Sequence, residues 1–196
     1  MEEKKRISKD YAIRNAVFEL MPTEKSSGMF KEEIPGTDLS IVYAIDLKEA
    51  GTDFAEKKVM SENRYDWKTK IKKAARENTE RLRPLNIFQL KDVVKPEDNE
   101  GPNVLVVTTA TCFLGAAAIL YPETDKKIRQ HDGFEKGYYI IPSSIHELLV
   151  VPKTYVSDAD ALKEMLIDVN NSEVEPVDFL SNNIFEMVDG KLKVVC

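Results

Sequence analysis

Apolar and β-branched residues recur along the chain in short runs that predict strands. The clearest run is residues 39–47 (LSIVYAIDL), where both alternating sets of positions are apolar, as in a strand buried on both faces. Similar runs predict further strands at residues 11–20, 55–61, 104–109, 115–121, 138–141 and 145–151. We expect the last two to pair as a hairpin through Pro142, Ser143 and Ser144.

The clearest helix is predicted at residues 66–83, where apolar side chains recur at the spacing of one helix face. Asp66 is placed to cap its first turn, and Pro84 ends it. A shorter helix is predicted to begin at Pro122 and to end near Gly133. The apolar side of the first helix can dock on a sheet.

The C-terminal part of the chain predicts one more helix and a closing hairpin. Ser157 is placed to cap the helix, and Asn170 and Asn171 are expected to end it in left-handed backbone geometry. Its apolar stripe is predicted to consist of Leu162, Met165, Leu166 and Val169. Asp189 and Gly190 form the strongest two-residue turn signal in the chain and predict a hairpin around them.

These elements predict an α+β fold in a single domain, with a mainly antiparallel sheet packed against two or three helices. Residues 1–10 are charged and predict a solvated lead-in, so the domain is expected to occupy residues 11–196. Residues 95–103 (KPEDNEGPN) are rich in proline, glycine and acidic side chains and predict a flexible loop.

Composition and charge narrow the class of protein. A chain of 196 residues should bury roughly 70% of its unfolded surface without a disulfide or a metal. The net charge of −6 argues against broad affinity for nucleic acids or anionic membranes. Cys112 and Cys196 form no spaced motif, which favours a reducing compartment. With no secretory signal and no long apolar run, we expect a cytoplasmic protein with no membrane partner.

Ser143, Ser144, His146 and Glu147 contain the residue types of a serine hydrolase. Their spacing does not suit that chemistry, because a serine and a histidine so close in an extended hairpin need not face one another, and no Gly-x-Ser-x-Gly elbow is present. The alternative is that the serines bond the turn backbone while His146 pairs across the sheet. We therefore expect no catalytic residues. These four residues are the candidates if the protein is a hydrolase.

A metal or nucleotide site is also not expected. His131, Asp132 and Glu135 lie close in sequence, but neither cysteine is spaced to complete a zinc site with them. Gly115 and the alanines after it lack the Gly-Lys-Ser/Thr step of a phosphate-binding loop, so packing explains them. The sequence predicts no cofactor.

Basic residues are concentrated in the helix at residues 66–83, in an otherwise acidic chain. Lys68, Lys72, Arg76 and Arg83 are predicted to lie on a face beside the apolar stripe, and they are the candidate partner-binding residues. The alternative is an ordinary solvated helix face stabilised by i,i+4 ion pairs. A partner would be an acidic protein surface or a phosphate backbone.

Several segments of the chain resemble one family. They are ENTERLRP (residues 77–84), GAAAILYP (115–122), YYIIPSSIHELLVVP (138–152) and EMLIDVNNSEVEPVDFLSNNIFEM (164–187). Their order and spacing resemble the C-terminal portion of a longer family of unknown function that is common in anaerobic gut bacteria. The resemblance implies relatives encoded on chromosomes and mobile genetic elements, and no established activity.

Three functions follow as hypotheses. The first is a non-catalytic protein that binds and modulates a macromolecular partner. In its most specific form, the protein is a mobile-element-encoded inhibitor of a bacterial defence nuclease, of the anti-CRISPR or antirestriction type. Its partner would then be the nuclease or the complex of the nuclease with nucleic acid. The second is a small hydrolase using Ser143 or Ser144 with His146 and Glu147. The third is a regulator that contacts nucleic acid through the basic helix at residues 68–83.

Overall fold

Two antiparallel sheets and four α-helices make up the part of the chain that the structure describes. The structure is a computed structural model, and it describes residues 7–47, 56–60, 67–93, 103–156 and 158–196. The predicted flexible loop at residues 95–102, the predicted caps Asp66 and Ser157, and residues 1–6 of the predicted lead-in lie outside these ranges. Within the lead-in, Ser8 caps the first helix and is exposed.

The first sheet is built around a central strand that the alternation pattern predicted to the residue. Its strands are β1 (Ala16–Pro22), β2 (Lys31–Glu33), β3 (Leu39–Leu47) and β4 (Glu56–Val59). β3 pairs with all three of the others, and its side chains are mostly buried on both faces, as expected. The strand predicted at residues 55–61 is confirmed for β4.

The second sheet has six strands in the order β10-β9-β7-β8-β6-β5. They are β5 (Leu85–Gln89), β6 (Leu105–Thr109), β7 (Tyr138–Ile141), β8 (Leu148–Pro152), β9 (Phe185–Val188) and β10 (Lys191–Val194). The predicted hairpin of β7 and β8 and the closing hairpin of β9 and β10 are both present. Asp189 and Gly190 have φ values of 50° and 70°, which is the left-handed geometry that this short turn requires.

The helices lie against these sheets. They are α1 (Lys9–Arg14), α2 (Lys68–Leu82), α3 (Thr124–Ile128) and α4 (Ala159–Ser172). α2 packs on β1, and its buried face carries Ile71, Ala74 and Ala75. Thr79 on the same face accepts a hydrogen bond from the amide of Phe18 on β1 (3.0 Å), which ties helix to sheet.

The main core contains buried side chains from both sheets and from α2, including Tyr43, Ile71, Leu105 and Ile140. A smaller apolar cluster lies under α4, and its buried members are Val151, Leu162, Leu166 and Ile184. Alternate residues of β7 and β8 belong to the two clusters, so the second sheet is covered on both faces. The prediction of an α+β fold with mainly antiparallel strands and helices packed on them is confirmed.

Two predicted strands are wrong in part or in whole. Residues 9–14 form α1, so the strand predicted at 11–20 begins only at Ala16. Residues 116–120 form a short 3-10 helix instead of a strand beside β6. Gly115, just before this 3-10 helix, does allow it to pack closely on β6. A Cβ on Gly115 would lie 2.2 Å from Oγ1 of Thr108 and 2.6 Å from the amide nitrogen of Thr109.

The prediction for α4 is half right. Leu162 and Leu166 are buried, but Met165 and Val169 are 55% and 45% exposed. The helix also continues past the asparagines to Ser172. Asn170 takes the next position on the buried face, where its side-chain amide donates to the Ser181 carbonyl (3.1 Å). A buried polar contact, invisible in the local pattern, therefore replaces the predicted helix end.

Candidate functional site

The candidate partner-binding residues of α2 do not share one free surface. Nζ of Lys72 lies 2.6 Å from Oε1 of Glu32 on β2, and a guanidinium nitrogen of Arg76 lies 3.1 Å from Oε2 of the same residue. The Tyr43 hydroxyl donates to the same carboxylate. Two of the four candidate cations are therefore engaged within the protein, on the side of α2 that faces β2.

The electrostatics of this cluster favour a charged Glu32. Burial by itself would raise the pKa of Glu32, but hydrogen bonds from Lys72 and Tyr43 outweigh that effect and hold the pKa below its usual value. Burial and the bond to Glu32 together raise the pKa of the Tyr43 hydroxyl, which stays protonated as a donor. The carboxylate therefore links β2, β3 and α2.

Lys68 and Lys72 also lie over an aromatic ring on the same side of the helix. Their Nζ atoms are 5.2 Å and 5.5 Å from the centroid of Phe30. Contacts of this kind contribute about 0.5–1 kcal/mol at exposed sites. The contact explains why basic residues flank the apolar stripe of α2, because their stems and heads cover a buried ring.

Arg83 is not on an exposed face, so this part of the prediction is wrong. The residue is only 8% exposed. Its guanidinium contacts both carboxylate oxygens of Asp46 and lies 3.1 Å from Oε1 of Glu19. α2 ends at Leu82, and the chain at Arg83 turns into the protein, where two buried carboxylates of β1 and β3 need a cation.

A sequence signal for this network existed. Glu19 and Asp46 are acidic residues inside strands that are otherwise almost wholly apolar. Charged side chains are seldom fully buried without a partner, so the two acids indicated a buried cation elsewhere in the chain. The pattern of α2 alone could not assign that role to Arg83.

The exposed cations of α2 that do not pair with Glu32 lie on its outer face, which we define by Lys70, Lys73 and Arg81. The side chain of Lys73 is 81% exposed. Glu77 lies on the same face, with a carboxylate oxygen 3.9 Å from Nζ of Lys73. The outer face therefore carries mixed charge with an excess of cations.

His146 holds two loops together. Its Nδ1 accepts a hydrogen bond from the Leu114 amide (3.1 Å), and its Nε2 lies 3.1 Å from Oδ1 of Asp178. The Phe113 ring packs on the imidazole with a centroid distance of 5.0 Å. An Nδ1 that accepts from an amide leaves Nε2 to donate to the carboxylate. Neither ring nitrogen is then available to take a proton from a hydroxyl.

The serines of the loop serve its backbone. Oγ of Ser144 accepts from the His146 amide (3.0 Å), and the Ser144 amide donates to the Glu147 carbonyl (3.2 Å). The Ser143 amide donates to the Ile141 carbonyl (2.9 Å). The four hydrolase candidates therefore lie close together, as parts of one hydrogen-bonded turn. The acidic partner of His146, Asp178, could not be identified from the sequence because it lies far away along the chain.

The loop that His146 contacts has unusual backbone geometry. Cys112 and Leu114 have φ values of 52° and 51°, in the left-handed region that is uncommon for residues other than glycine. The amide of Leu114 bonds His146, and the amide of Gly115 donates to the His146 carbonyl (2.9 Å). These bonds hold the loop in place, which gives His146 a structural role.

The candidate metal ligands do not converge. In the ranges that the structure describes, no three histidine, cysteine or acidic residues lie close enough to hold a metal ion. His131 packs its ring edge-on to Phe134, with centroids 6.4 Å apart. It also lines a groove beside β5. None of the helices in the described ranges has the length and apolar character needed to cross a membrane.

The fold and the site define an α+β protein in which two cations of the basic helix pair with Glu32 and His146 anchors a loop. The chain belongs to a family of unknown function, DUF5688, whose model matches residues 7–187. The match confirms the resemblance to a family without an established activity. The chain has no match among curated proteins and none among solved structures.

Proposed function

We propose that this protein is a non-catalytic binding protein that modulates a macromolecular partner through the outer face of α2. The observation that carries the proposal is the exposure of Lys70, Lys73 and Arg81, with the Lys73 side chain 81% exposed, on a chain with a net charge of −6. A cationic patch on an acidic body steers association toward a partner surface of negative charge.

The mixed charge of this face favours a protein partner over a phosphate backbone. Glu77 and Glu80 lie among the cations of α2, and acidic side chains there would repel a continuous row of phosphates. An acidic protein surface can place its own cations against these two residues. Direct contact with nucleic acid is the second candidate, carried by the same exposed cations.

The hydrolase hypothesis is weaker than the binding hypothesis. Both ring nitrogens of His146 have partners, and Oγ of Ser144 accepts from a backbone amide. A serine nucleophile needs a histidine nitrogen free to accept its proton. The residues that sequence reasoning offered for catalysis are therefore better explained as loop anchors.

The sharper form of the proposal is an inhibitor of a bacterial defence nuclease, encoded on a mobile element. It is supported by the coexistence of an acidic body and a cationic helix. Such a protein could engage both the basic channel of a nuclease and an acidic surface beside it. This form predicts that the recovered partner is a nuclease and that its cleavage of DNA stops when the protein is added.

The test uses affinity capture from the native host, with and without nuclease treatment of the extract. The recovered partner is then titrated against a Lys70→Glu/Lys73→Glu variant. Neither side chain pairs with Glu32. Lys73→Glu places an acid beside the exposed Glu77, but a like-charge i,i+4 pair costs only about 0.2–0.5 kcal/mol, so the fold should stay intact. A Lys91→Glu/Lys136→Glu variant is the matched control, because it changes net charge equally at exposed positions elsewhere.

We expect the α2 variant to bind the partner at least tenfold more weakly at low salt, with a flatter salt dependence than the control. Equal affinity of the two variants for the partner would disprove the proposed surface. Loss of capture after nuclease treatment would identify nucleic acid as the ligand and favour the second candidate.

A further inference from the structure

β5 is the last strand at one edge of the six-stranded sheet in the described part of the chain. Among the strands of the described residues it pairs only with β6, in the register Leu85↔Thr109 to Gln89↔Leu105. An unpaired edge presents a row of backbone N–H and C=O groups that can pair with another extended segment. This edge is a different surface from the outer face of α2, so an inference about it goes beyond the proposed function.

Two hydrogen bonds at the ends of β5 show which of its backbone groups point away from β6. The Ala110 amide donates to the Pro84 carbonyl (2.8 Å), and the Leu90 amide donates to the Val104 carbonyl (2.9 Å). Hydrogen-bonded pairs alternate with non-bonded pairs along an antiparallel ladder. The amides and carbonyls of Leu85, Ile87 and Gln89 therefore point away from β6, toward the open edge.

Two other edge strands in the described residues, β10 and β1, carry features that limit further pairing. At the opposite edge of the same sheet, β10 carries the exposed side chains of Lys191 and Lys193. In the first sheet, the outward amide of Phe18 on β1 is bonded by the Thr79 hydroxyl of α2. β5 (LNIFQ) contains no charged residue and no proline, the devices that usually keep an edge from pairing.

A groove of about 510 Å³ runs along the first half of β5. Its second wall is the end of α3 and the turn after it, which contribute Lys127, Gln130 and His131. Lys127 is exposed and forms no ion pair with another described residue. The groove thus combines an open strand edge with a cation beside it.

We propose that β5 is a docking edge for an extended peptide segment of a partner protein, which adds a seventh strand to the sheet. Main-chain hydrogen bonds to Leu85, Ile87 and Gln89 hold the segment, and an acidic side chain of the segment pairs with Lys127. A second copy of this chain fits less well, because β5 has no acidic residue to place against Lys127.

The test begins with a display library of random peptides of about seven residues, selected on the full chain. Selected peptides are then measured against Gln89→Pro and Gln89→Ala variants. Gln89 has a φ of −80°, which proline tolerates, and its amide lies outside the β6 ladder. Both variants lose a side-chain oxygen that has no hydrogen-bond partner, so they differ at the outward nitrogen, where proline replaces the N–H with its ring.

We expect selected peptides with alternating apolar residues and an acidic side chain. Their affinity should fall about tenfold for Gln89→Pro relative to Gln89→Ala, with similar melting temperatures for the two proteins. Lys127→Glu should remove the preference for the acidic side chain. Lys126→Glu is the control, since Lys126 pairs with Glu123 (3.4 Å) and does not line the groove.

Three results would overturn this inference. The selection could yield no binding peptide, or the peptides could bind Gln89→Pro and Gln89→Ala equally. In the third, the chain would dimerise in sedimentation experiments and Gln89→Pro would make it monomeric, which would assign the edge to a second copy. None of these results affects the α2 proposal, because its charge variants leave β5 unchanged.

Discussion

Two ion clusters at different positions along α2 have opposite composition and different surroundings. Near the middle of the helix, one carboxylate, Glu32, binds two cations, Lys72 and Arg76, and all three are partly exposed. Just past its end, one cation, Arg83, binds two buried carboxylates, Glu19 and Asp46. The same pairing chemistry therefore occurs once in contact with water and once almost without it.

The comparison shows that solvent access determines how much each cluster contributes to the free energy of unfolding. A partly exposed ion pair gains little, because water solvates the separated charges nearly as well. A buried charge that loses its partner has no such alternative and destabilises the fold strongly. We therefore expect removal of single members from the two clusters to have very different effects on the free energy of unfolding.

The largest effect is expected for Arg83→Met. The substitution leaves Glu19 and Asp46 buried without their cation, and it should lower the free energy of unfolding by about 3–5 kcal/mol. Urea unfolding at neutral pH measures the change. Lys73→Met removes an 81% exposed cation from the same helix and should change stability by less than about 0.5 kcal/mol.

A compensated variant sharpens this prediction. Adding Glu19→Gln and Asp46→Asn to Arg83→Met removes the uncompensated buried charge, and it should recover part of the lost stability. If the triple variant is no more stable than Arg83→Met, the loss came from packing and not from removal of the Arg83 charge.

A smaller effect is expected for Glu32→Gln, about 1 kcal/mol at neutral pH. Because the pKa of Glu32 is lowered in the folded protein, its contribution is complete above the unfolded value of 4.5 and is lost as the pH falls through the folded value. The stability difference between wild type and Glu32→Gln should therefore shrink toward zero in acid. A difference that stays constant down to low pH would show that Glu32 acts through packing.

The smallest effects are expected for Lys72→Met and Arg76→Met, about 0.2–1 kcal/mol each. Their pairing with Glu32 is partly in solvent, so salt should weaken it. Raising the salt from about 0.05 M to 0.5 M should reduce both stability losses and leave the loss for Arg83→Met nearly unchanged. Equal salt sensitivity at the two clusters would contradict the assigned difference in solvent access.

The contrast also changes how the binding surface must be tested. Charge reversal at Lys72 or Arg76 would place an acid against Glu32, so reduced binding by such a variant could reflect a shifted helix. Lys70 and Lys73 are exposed, and the acid nearest to Lys73, Glu77, is itself exposed, so charge reversal there disturbs the helix less. The sequence pattern predicted Lys72 and Arg76 as binding residues beside the apolar stripe, because it does not contain their pairing with Glu32.

Much of the fold could be predicted where the signal is local. The alternation in β3 predicted its bounds, and the turn residues Asp189 and Gly190 predicted the last hairpin. β5 was missed, since LNIFQ is short and follows directly after the proline that ends α2. Its strand conformation depends on pairing with β6, which a local pattern does not contain.

By itself, the sequence determined the α+β class, the buried central strand and the turns, because alternation, helical periodicity and turn residues act between near neighbours along the chain. Only the tertiary structure decided that Arg83 is buried, that His146 anchors a loop to Asp178, and that β5 is an edge strand among the described residues. Each of these features depends on contacts between segments that are distant along the chain. Such contacts determine the energies of burial and of charge pairing, whereas local backbone preferences do not depend on them.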